Sequence, residues 1–448
     1  MKSTLIHEAT IVNENKKQTG SVLIKAGKID AIYYNKVPRE IVRSSEIVSA
    51  KGKYLLPGVI DDHVHFREPG LTHKADICSE SRAAVAGGVT SYMEMPNTKP
   101  RTITRQALDD KLNMAAGKSF ANYAFYMGAT NDNLDELLRT DPEKTCGIKV
   151  FMGSSTGNML VDNPDTLKEI FSQIKILIAV HSEDEEIIEK NLQLYRKQYG
   201  DRIPVHLHPD IRSAEACYTS TAKAVELANH YNTRLHILHL STAGELELLE
   251  GRPYSKNKLI TGEVCVHHLW FDDSDYKSLG TRIKWNPAIK TRKDREALLE
   301  AVRTDRIDII ATDHAPHTWE EKNKDYIHAA SGGPMVQHSL PAMLELHHRN
   351  LIDLETIVEK MCHAPARLFE IVKRGFIRKG YWADLVIIDP DNPWTVSPDN
   401  ILYKCGWSPF EDQQFRYSIE KTFVNGQPVF DKGIINENIR GKALTFNR

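Results

Sequence analysis

The chain has 448 residues, 41% hydrophobic and 26% charged, with a formal net charge of −2. That length suits one large domain plus a smaller one, with a composition ordinary for a soluble globular protein. A near-neutral balance gives no basic field for nucleic acid, and no apolar stretch approaches the roughly 20 residues needed to cross a bilayer. The start, Met1 to His7, lacks a signal-peptide apolar core. The six cysteines are scattered without a CxxC pair, so a cytoplasmic protein with reduced thiols is expected.

Residues 1–54 read as short strands with polar turns, such as Ser21-Val22-Leu23-Ile24 and Ile29-Asp30-Ala31-Ile32 around Lys25-Ala26-Gly27-Lys28. Residues 366–448 read similarly, with Leu385-Val386-Ile387-Ile388 and Thr422-Phe423-Val424. Neither end has enough apolar sequence for its own core, so the two are expected to combine into one small β-sandwich domain.

Between them, in residues 55–365, eight apolar strand-like runs alternate with helical stretches. The runs are Val59–His65, Val89–Met95, Ala121–Met127, Gly147–Met152, Lys175–His181, Arg234–Leu240, Lys258–Glu263 and Ile307–Thr312; helical stretches include Ala214–Asn229 and Arg295–Val302. This is the pattern of an α/β fold, a (β/α)8 TIM-type barrel. A doubly wound sheet is the competitor, but no GxGxxG or GxxxxGK[ST] follows the first strand.

In such a barrel, functional residues sit at the C-terminal ends of strands. His63 and His65 close the first run, and alternation on a strand points both imidazoles the same way. Such a pair is half of a metal site, or two buried histidines satisfied by carbonyls. Lys149 lies in Gly147-Ile148-Lys149-Val150-Phe151-Met152. A bare ammonium on an inner strand is costly. It either snorkels to the rim or is carboxylated to a carbamate able to bridge two cations. His181 ends the fifth run. His236 and His239 share the sixth, and their odd spacing is expected to leave only one inward, His239 being nearer the rim. His206 and His208 lie among prolines and read as loop residues, His267-His268 cannot share a strand face, and His347-His348 suit a helix. Asp313 follows the eighth run as a ligand, a proton acceptor or an Asx turn.

The count is coherent for zinc, which takes about four ligands. One ion would receive His63, His65, the carbamate and Asp313; the other would receive the carbamate, His181 and His239. A bridging hydroxide would complete both.

These motifs resemble the cyclic amidohydrolases, dihydroorotases most closely, over nearly the whole chain. The resemblance rests on Asp61-Asp62-His63-Val64-His65-Phe66-Arg67-Glu68-Pro69-Gly70, on Met95-Pro96-Asn97-Thr98-Lys99-Pro100, and on Ala311-Thr312-Asp313-His314-Ala315-Pro316-His317-Thr318-Trp319-Glu320-Glu321-Lys322. His181-Ser182-Glu183-Asp184, His239-Leu240-Ser241-Thr242 and Asn286-Pro287 add to it. It implies a two-zinc site of the carboxylated-lysine type with the six ligands above. It also implies that Arg67, Asn97 and His317 hold the substrate's carboxylate, that Asn286 lines the ring pocket, and that Asp313 is the catalytic acid–base. The bland reading of Arg67 is a rim salt bridge with Glu68 or Glu94, and that of Asn97 is a turn former. Asp62 departs from the usual small or apolar residue and is expected to face away from the metals. Ser331-Gly332-Gly333-Pro334-Met335 departs too.

The implied activity is reversible hydrolysis of L-dihydroorotate to N-carbamoyl-L-aspartate, in pyrimidine biosynthesis. Allantoinase and dihydropyrimidinase are rival readings on the same metal scaffold, and Met95-Pro96-Asn97-Thr98 favours dihydroorotase. An inactive dihydroorotase-like scaffold subunit is a reading of another class, against which stands the complete ligand set. The expected partner is a small-molecule substrate, with no nucleic acid and no membrane; a homo-oligomer stays open. The segments 153–158 and 317–334 suit lids or ordinary loops equally.

Overall fold

The computed structural model describes residues 3–153 and 159–448. The segment 154–158 lies outside the described residues, and with it most of the loop after the Lys149 run. Among the described residues, no helix is long and apolar enough to cross a membrane.

The chain opens with β1 (Ser3–Asn13), β2 (Lys16–Lys25), β3 (Lys28–Tyr33), β4 (Ser45–Ser49) and β5 (Tyr54–Pro57). The β1–β2 turn carries Glu14 and Asn15 at positive φ, and the β2–β3 turn carries Ala26 and Gly27 there. These tight reversals match the twist of antiparallel strands. The eight barrel runs become β6 (Val59–Val64), β7 (Val89–Glu94), β8 (Asn122–Phe125) with its continuation β9 (Met127–Gly128), β10 (Ile148–Phe151), β11 (Ile178–His181), β12 (Leu235–Ile237), β13 (Ile260–Cys265) and β14 (Ile309–Ala311). The tail adds β15 (Leu385–Asp389), the short pair β16 (Trp394–Thr395) and β17 (Gln414–Phe415), then β18 (Ser418–Val424), β19 (Gln427–Asp431) and β20 (Ile434–Ile435).

Both termini share one sheet, in the order β20-β19-β18-β15-β5-β1-β2-β3, with β4 paired to β1. The seam is β15 against β5, antiparallel, Leu385 opposite Pro57 and Ile388 opposite Tyr54. The alternating residues Ile6, Ile11, Val22, Ile24, Leu55, Leu385, Ile387 and Phe423 form a shared core. Neither half holds this apolar set alone, which is the physical reason the ends meet. From β5 the chain passes through Gly58 into the barrel. A Cβ there would lie 2.1 Å from Thr90 Oγ1, so only glycine lets the two sheets adjoin so closely.

The barrel strands pair in parallel, β6-β7-β8 on one side and β9 through β14 on the other. The ring closes where Val64 bridges His314, and Thr312 Oγ1 donates to Asp61 Oδ2 at 2.7 Å. Crossover helices start at side-chain caps. Ser213 accepts from Ala216 N–H ahead of the helix Ala214–Tyr231, and Thr291 with Asp294 forms a capping box for Arg292–Arg303. The interior is filled by Ile60, Met93, Ala124, Tyr126, Ala179 and Ile309, joined from below by Phe369, Leu444 and Phe446. Arg448 donates to the carbonyls of Thr145 and Cys146 at 2.9 and 2.7 Å. The barrel is therefore stoppered at its N-terminal end, and side chains aimed at the other rim share one enclosed space.

Candidate active site and metal centre

His63, His65, Arg67, Asn97, Lys149, His181, His239, Asn286, Asp313 and His317 line one cavity of about 270 Å³ at the C-terminal rim. These ten residues lie on seven separate segments of the sequence, and the fold brings them all together.

His63 and His65 point inward from β6 and the residue after it. Their Nε2 atoms lie 3.3 and 3.1 Å from the same oxygen, Asp313 Oδ1. Ligand atoms ~2 Å from a tetrahedral cation are themselves ~3.3 Å apart, so this spacing fits one ion. His181 Nδ1 lies 2.8 Å from His239 Nε2. Lys149 projects from β10 into the same cavity, buried, with no hydrogen-bond partner for its Nζ among the described residues. An amine buried without an acceptor is a costly feature unless another group completes it.

His239 sits beyond β12, and its route into the cavity differs from strand alternation. Both His236 and His239 face the interior. His236 lies on the strand, and the chain turns after Ile237, with His239 at φ +40. Asp313 at φ +44 and Arg67 at φ +69 are turned inward the same way. Three non-glycine residues in the left-handed region store strain of ~1–3 kcal/mol each, a cost that clusters at functional sites. Asp62 is fully buried beneath the rim, its Oδ2 3.3 Å from His236 Nε2, and does not line the cavity.

Burial and neighbouring charges set the protonation of these groups. Burial lowers His65 to about 4 and pushes His181 and His239 down as well. All three are neutral imidazoles near pH 7, the form that binds metal. Burial also works against charge on His63, but Glu263 and Asp313 overcome it and raise its pKa. Asp313 is disfavoured by burial as an anion, yet the surrounding imidazoles hold it well below the usual carboxylate range. Burial lowers Lys149 to about 7, so its amine is substantially neutral at physiological pH.

Two carboxylates that the sequence reading missed set the imidazole tautomers. Glu263 Oε1 lies 2.9 Å from His63 Nδ1 and also accepts the His239 backbone N–H at 3.1 Å. Glu183 Oε2 lies 3.0 Å from His181 Nε2 and is clamped by Arg212 at 2.7 Å. Asn97 Oδ1 serves His65 Nδ1 at 2.9 Å. Glu263 and Asn97 can each take one ring N–H and leave the opposite nitrogen's lone pair facing the cavity, while Glu183 meets His181 as a close charge contact. The available signal was position: Glu263 lies within the seventh strand and Glu183 two residues after His181.

Arg67 is enclosed in the cavity wall and forms no salt bridge with Glu68 or Glu94. Those acids bind Lys118 and Lys111. The guanidinium is buried, with Nε donating to Pro316 O at 3.1 Å and Nη2 lying 3.1 Å from His317 Nε2. Burial lowers it to about 10, still a cation at neutral pH. His317 is lowered to about 3 by burial and by Arg67. Asn286 Oδ1 is buried without a hydrogen-bond partner among the described residues. His208, in the proline-flanked HxH, is structural: it contacts Tyr326 Oη at 3.0 Å and Trp285 O at 2.6 Å.

A parallel barrel carrying histidines and an aspartate at its strand ends defines a class of hydrolase, and residues 54–429 match the amidohydrolase family. The chain belongs to that family. Within it, the chain is 33% identical over 441 residues to a dihydroorotase of Pyrococcus furiosus, covering 98% of this chain and 96% of that one. It is 33% identical to a dihydroorotase of Methanosarcina mazei, covering 98% and 97%. Among solved structures it superposes on the L-hydantoinase of Arthrobacter aurescens with a TM-score of 0.91 and 28% identity, over 99% of this chain and 100% of that one. The dihydropyrimidinase of Brevibacillus agri shares the fold at a TM-score of 0.88 and 22% identity, over the whole of both chains.

Proposed function

We propose that this chain is a dihydroorotase, interconverting L-dihydroorotate and N-carbamoyl-L-aspartate by reversible hydrolysis of a cyclic amide. The observation that carries this reading is the buried Arg67 guanidinium in the wall beside Asp313. Dihydroorotate bears a ring carboxylate, which dihydropyrimidines and allantoin lack. A guanidinium matches that group in charge and geometry. Likeness to dihydroorotases over nearly the full length supports the same substrate.

The donor set fits two divalent cations, and imidazole with carboxylate suits zinc. His63, His65 and Asp313 would hold one, His181 and His239 the other, with Lys149 between them as a carbamate. The largely neutral Lys149 amine is the form that adds carbon dioxide, and the product would satisfy its orphaned Nζ. When bound, such cations make water nucleophilic at neutral pH and polarise a carbonyl oxygen.

The chain's own groups do the rest. Arg67, with Asn97 and His317 beside it, fixes the substrate carboxylate and so aims the ring amide at Asp313. Asn286 faces the ring. The Asp313 carboxylate accepts the proton released as water adds to the amide carbon. It returns that proton to the ring nitrogen as the C–N bond breaks, and cyclisation runs the same transfers backwards.

Assaying dihydroorotate, dihydrouracil, hydantoin and allantoin side by side tests the reading. Turnover of dihydroorotate at least about a hundredfold above the others is expected. Preference for hydantoin, which the L-hydantoinase likeness favours, would overturn it. An intact mass raised by one carbon dioxide and lost in Lys149→Ala tests the carbamate.

A further inference from the structure

Two lysines stand behind the cavity wall, outside the residues assigned above. Lys322 is fully buried and Lys284 nearly so. Each amine is committed to backbone carbonyls. Lys322 Nζ donates to Lys284 O at 2.8 Å and Ala330 O at 3.0 Å. Lys284 Nζ donates to Tyr326 O at 2.7 Å and Ala329 O at 2.6 Å. The Lys284 carbonyl also accepts from Gly332 N–H at 2.9 Å, and Ala330 N–H donates to Glu321 O at 3.1 Å. The segment 326–332 is thus stitched from behind by two side chains and one shared carbonyl.

The stitched segment is the cavity wall. Ala330, Ser331 and Gly332 line the pocket together with His63 and His65. Ser331 O lies 3.0 Å from His317 Nε2, which couples the wall to the Arg67 side of the site. Gly332 has φ +116, and a Cβ there would come 2.7 Å from Ala315 O. The wall is therefore bare backbone at close approach, with no side chain of its own at Gly332 to hold it. Behind it, Lys322 Nζ sits 5.5 Å from the Trp285 ring and 6.0 Å from the Trp407 ring. Buried carbonyls need donors, and here two amines supply them. Charged or neutral, an amine keeps two hydrogens for this purpose.

We propose that Lys284 and Lys322 are positioning residues, holding the Ala330–Gly332 backbone where the substrate ring packs and so setting affinity for the cyclic amide. The inference deepens the dihydroorotase reading and rests on it. Neither lysine touches the reacting atoms. Their loss relaxes the wall and weakens binding in the ground and transition states alike, which raises KM and spares kcat.

The test uses the full-length, metal-loaded enzyme carrying Lys322→Met or Lys284→Met. Hydrogen exchange of the 325–333 backbone is measured without substrate, and steady-state kinetics on whichever cyclic amide the wild type turns over fastest. Exchange in 326–332 is expected to rise about tenfold, with the barrel strands unchanged. KM is expected to rise about tenfold, with kcat within about threefold. Lys322→Gln and Lys284→Gln, which keep an NH2 donor group on a shorter side chain, recover part of both effects. Unchanged exchange and KM in the folded Met variants overturn the proposal, as does a fall in kcat at constant KM. If the Met variants do not fold, the Gln variants are held to the same two criteria at smaller amplitude. Because exchange needs no substrate, a failure of dihydroorotate to react leaves this inference decided by exchange and by KM for the substrate found.

Discussion

Replacing Arg67 by methionine removes the cationic head and keeps a side chain of similar reach. In the structure the guanidinium is buried, spends Nε on Pro316 O, sets Nη2 against His317 Nε2 and lines the cavity. A hydrogen bond to a charged group contributes about 1.5–3 kcal/mol, and deleting one partner of a buried charge pair costs roughly 2–5 kcal/mol. A paired contact to a carboxylate should therefore be worth about 4 kcal/mol, close to a thousandfold in kcat/KM at about 1.4 kcal/mol per tenfold. Most of this should enter KM, because the carboxylate is bound equally before and during the reaction. The assay is kcat/KM for dihydroorotate and for dihydrouracil, the same ring without a carboxylate, on wild type and variant with matched metal content. The dihydrouracil value should move less than about tenfold, so the ratio between substrates isolates the clamp. Equal KM for dihydroorotate in the two proteins, or equal losses on both substrates, would refute the reasoning.

Asp313→Ala should lower kcat by at least about a thousandfold while leaving partial substrate binding, judged by product-analogue titration; an unchanged kcat in a metallated variant rules out the proton-transfer role. Glu263→Gln leaves His63 Nδ1 without its carboxylate, so zinc affinity measured by chelator competition should fall about 10–100-fold, and an unaltered affinity would remove Glu263 from the metal site. Lys149 titrates at about 7, so its amine is neutral above that pH and protonated below it. Only the neutral amine adds carbon dioxide. Activation of metal-free protein by zinc and bicarbonate should therefore slow about tenfold per pH unit as pH falls below 7 and level off above it. A rate flat from pH 5 to 7, buffered at fixed dissolved carbon dioxide, would contradict the carbamate.

Much of the site can be read from the chain because a barrel repeats one rule eight times. Each strand is a short apolar run, and whatever polar residue ends it reaches the same rim. The tandem His63 and His65 needed only alternation, and His181 and Asp313 only a strand end. His239 shows where the rule fails. Alternation excludes it once His236 is taken as inward, yet both face the interior because the backbone turns left-handed after β12. Glu183 and Glu263 carry no pattern of their own: Glu183 lies two residues after His181 and Glu263 lies 200 residues from His63, and neither spacing says which ring nitrogen the acid meets. Lys284 and Lys322 were invisible for a stronger reason, because their partners are backbone carbonyls, which every residue has.

Strand periodicity, strand-end chemistry and motif order are local properties, so the primary structure by itself determined the eight-stranded barrel pattern, the candidate ligands and the amidohydrolase resemblance. Distances between segments up to 250 residues apart, as between Arg67 and His317, are set only when the barrel closes and its far end is stoppered. Burial then decides what composition cannot: which imidazoles are neutral, which nitrogen each offers, that Arg67 is an enclosed cation rather than a surface one, and that Lys149 is left with an amine no neighbour satisfies.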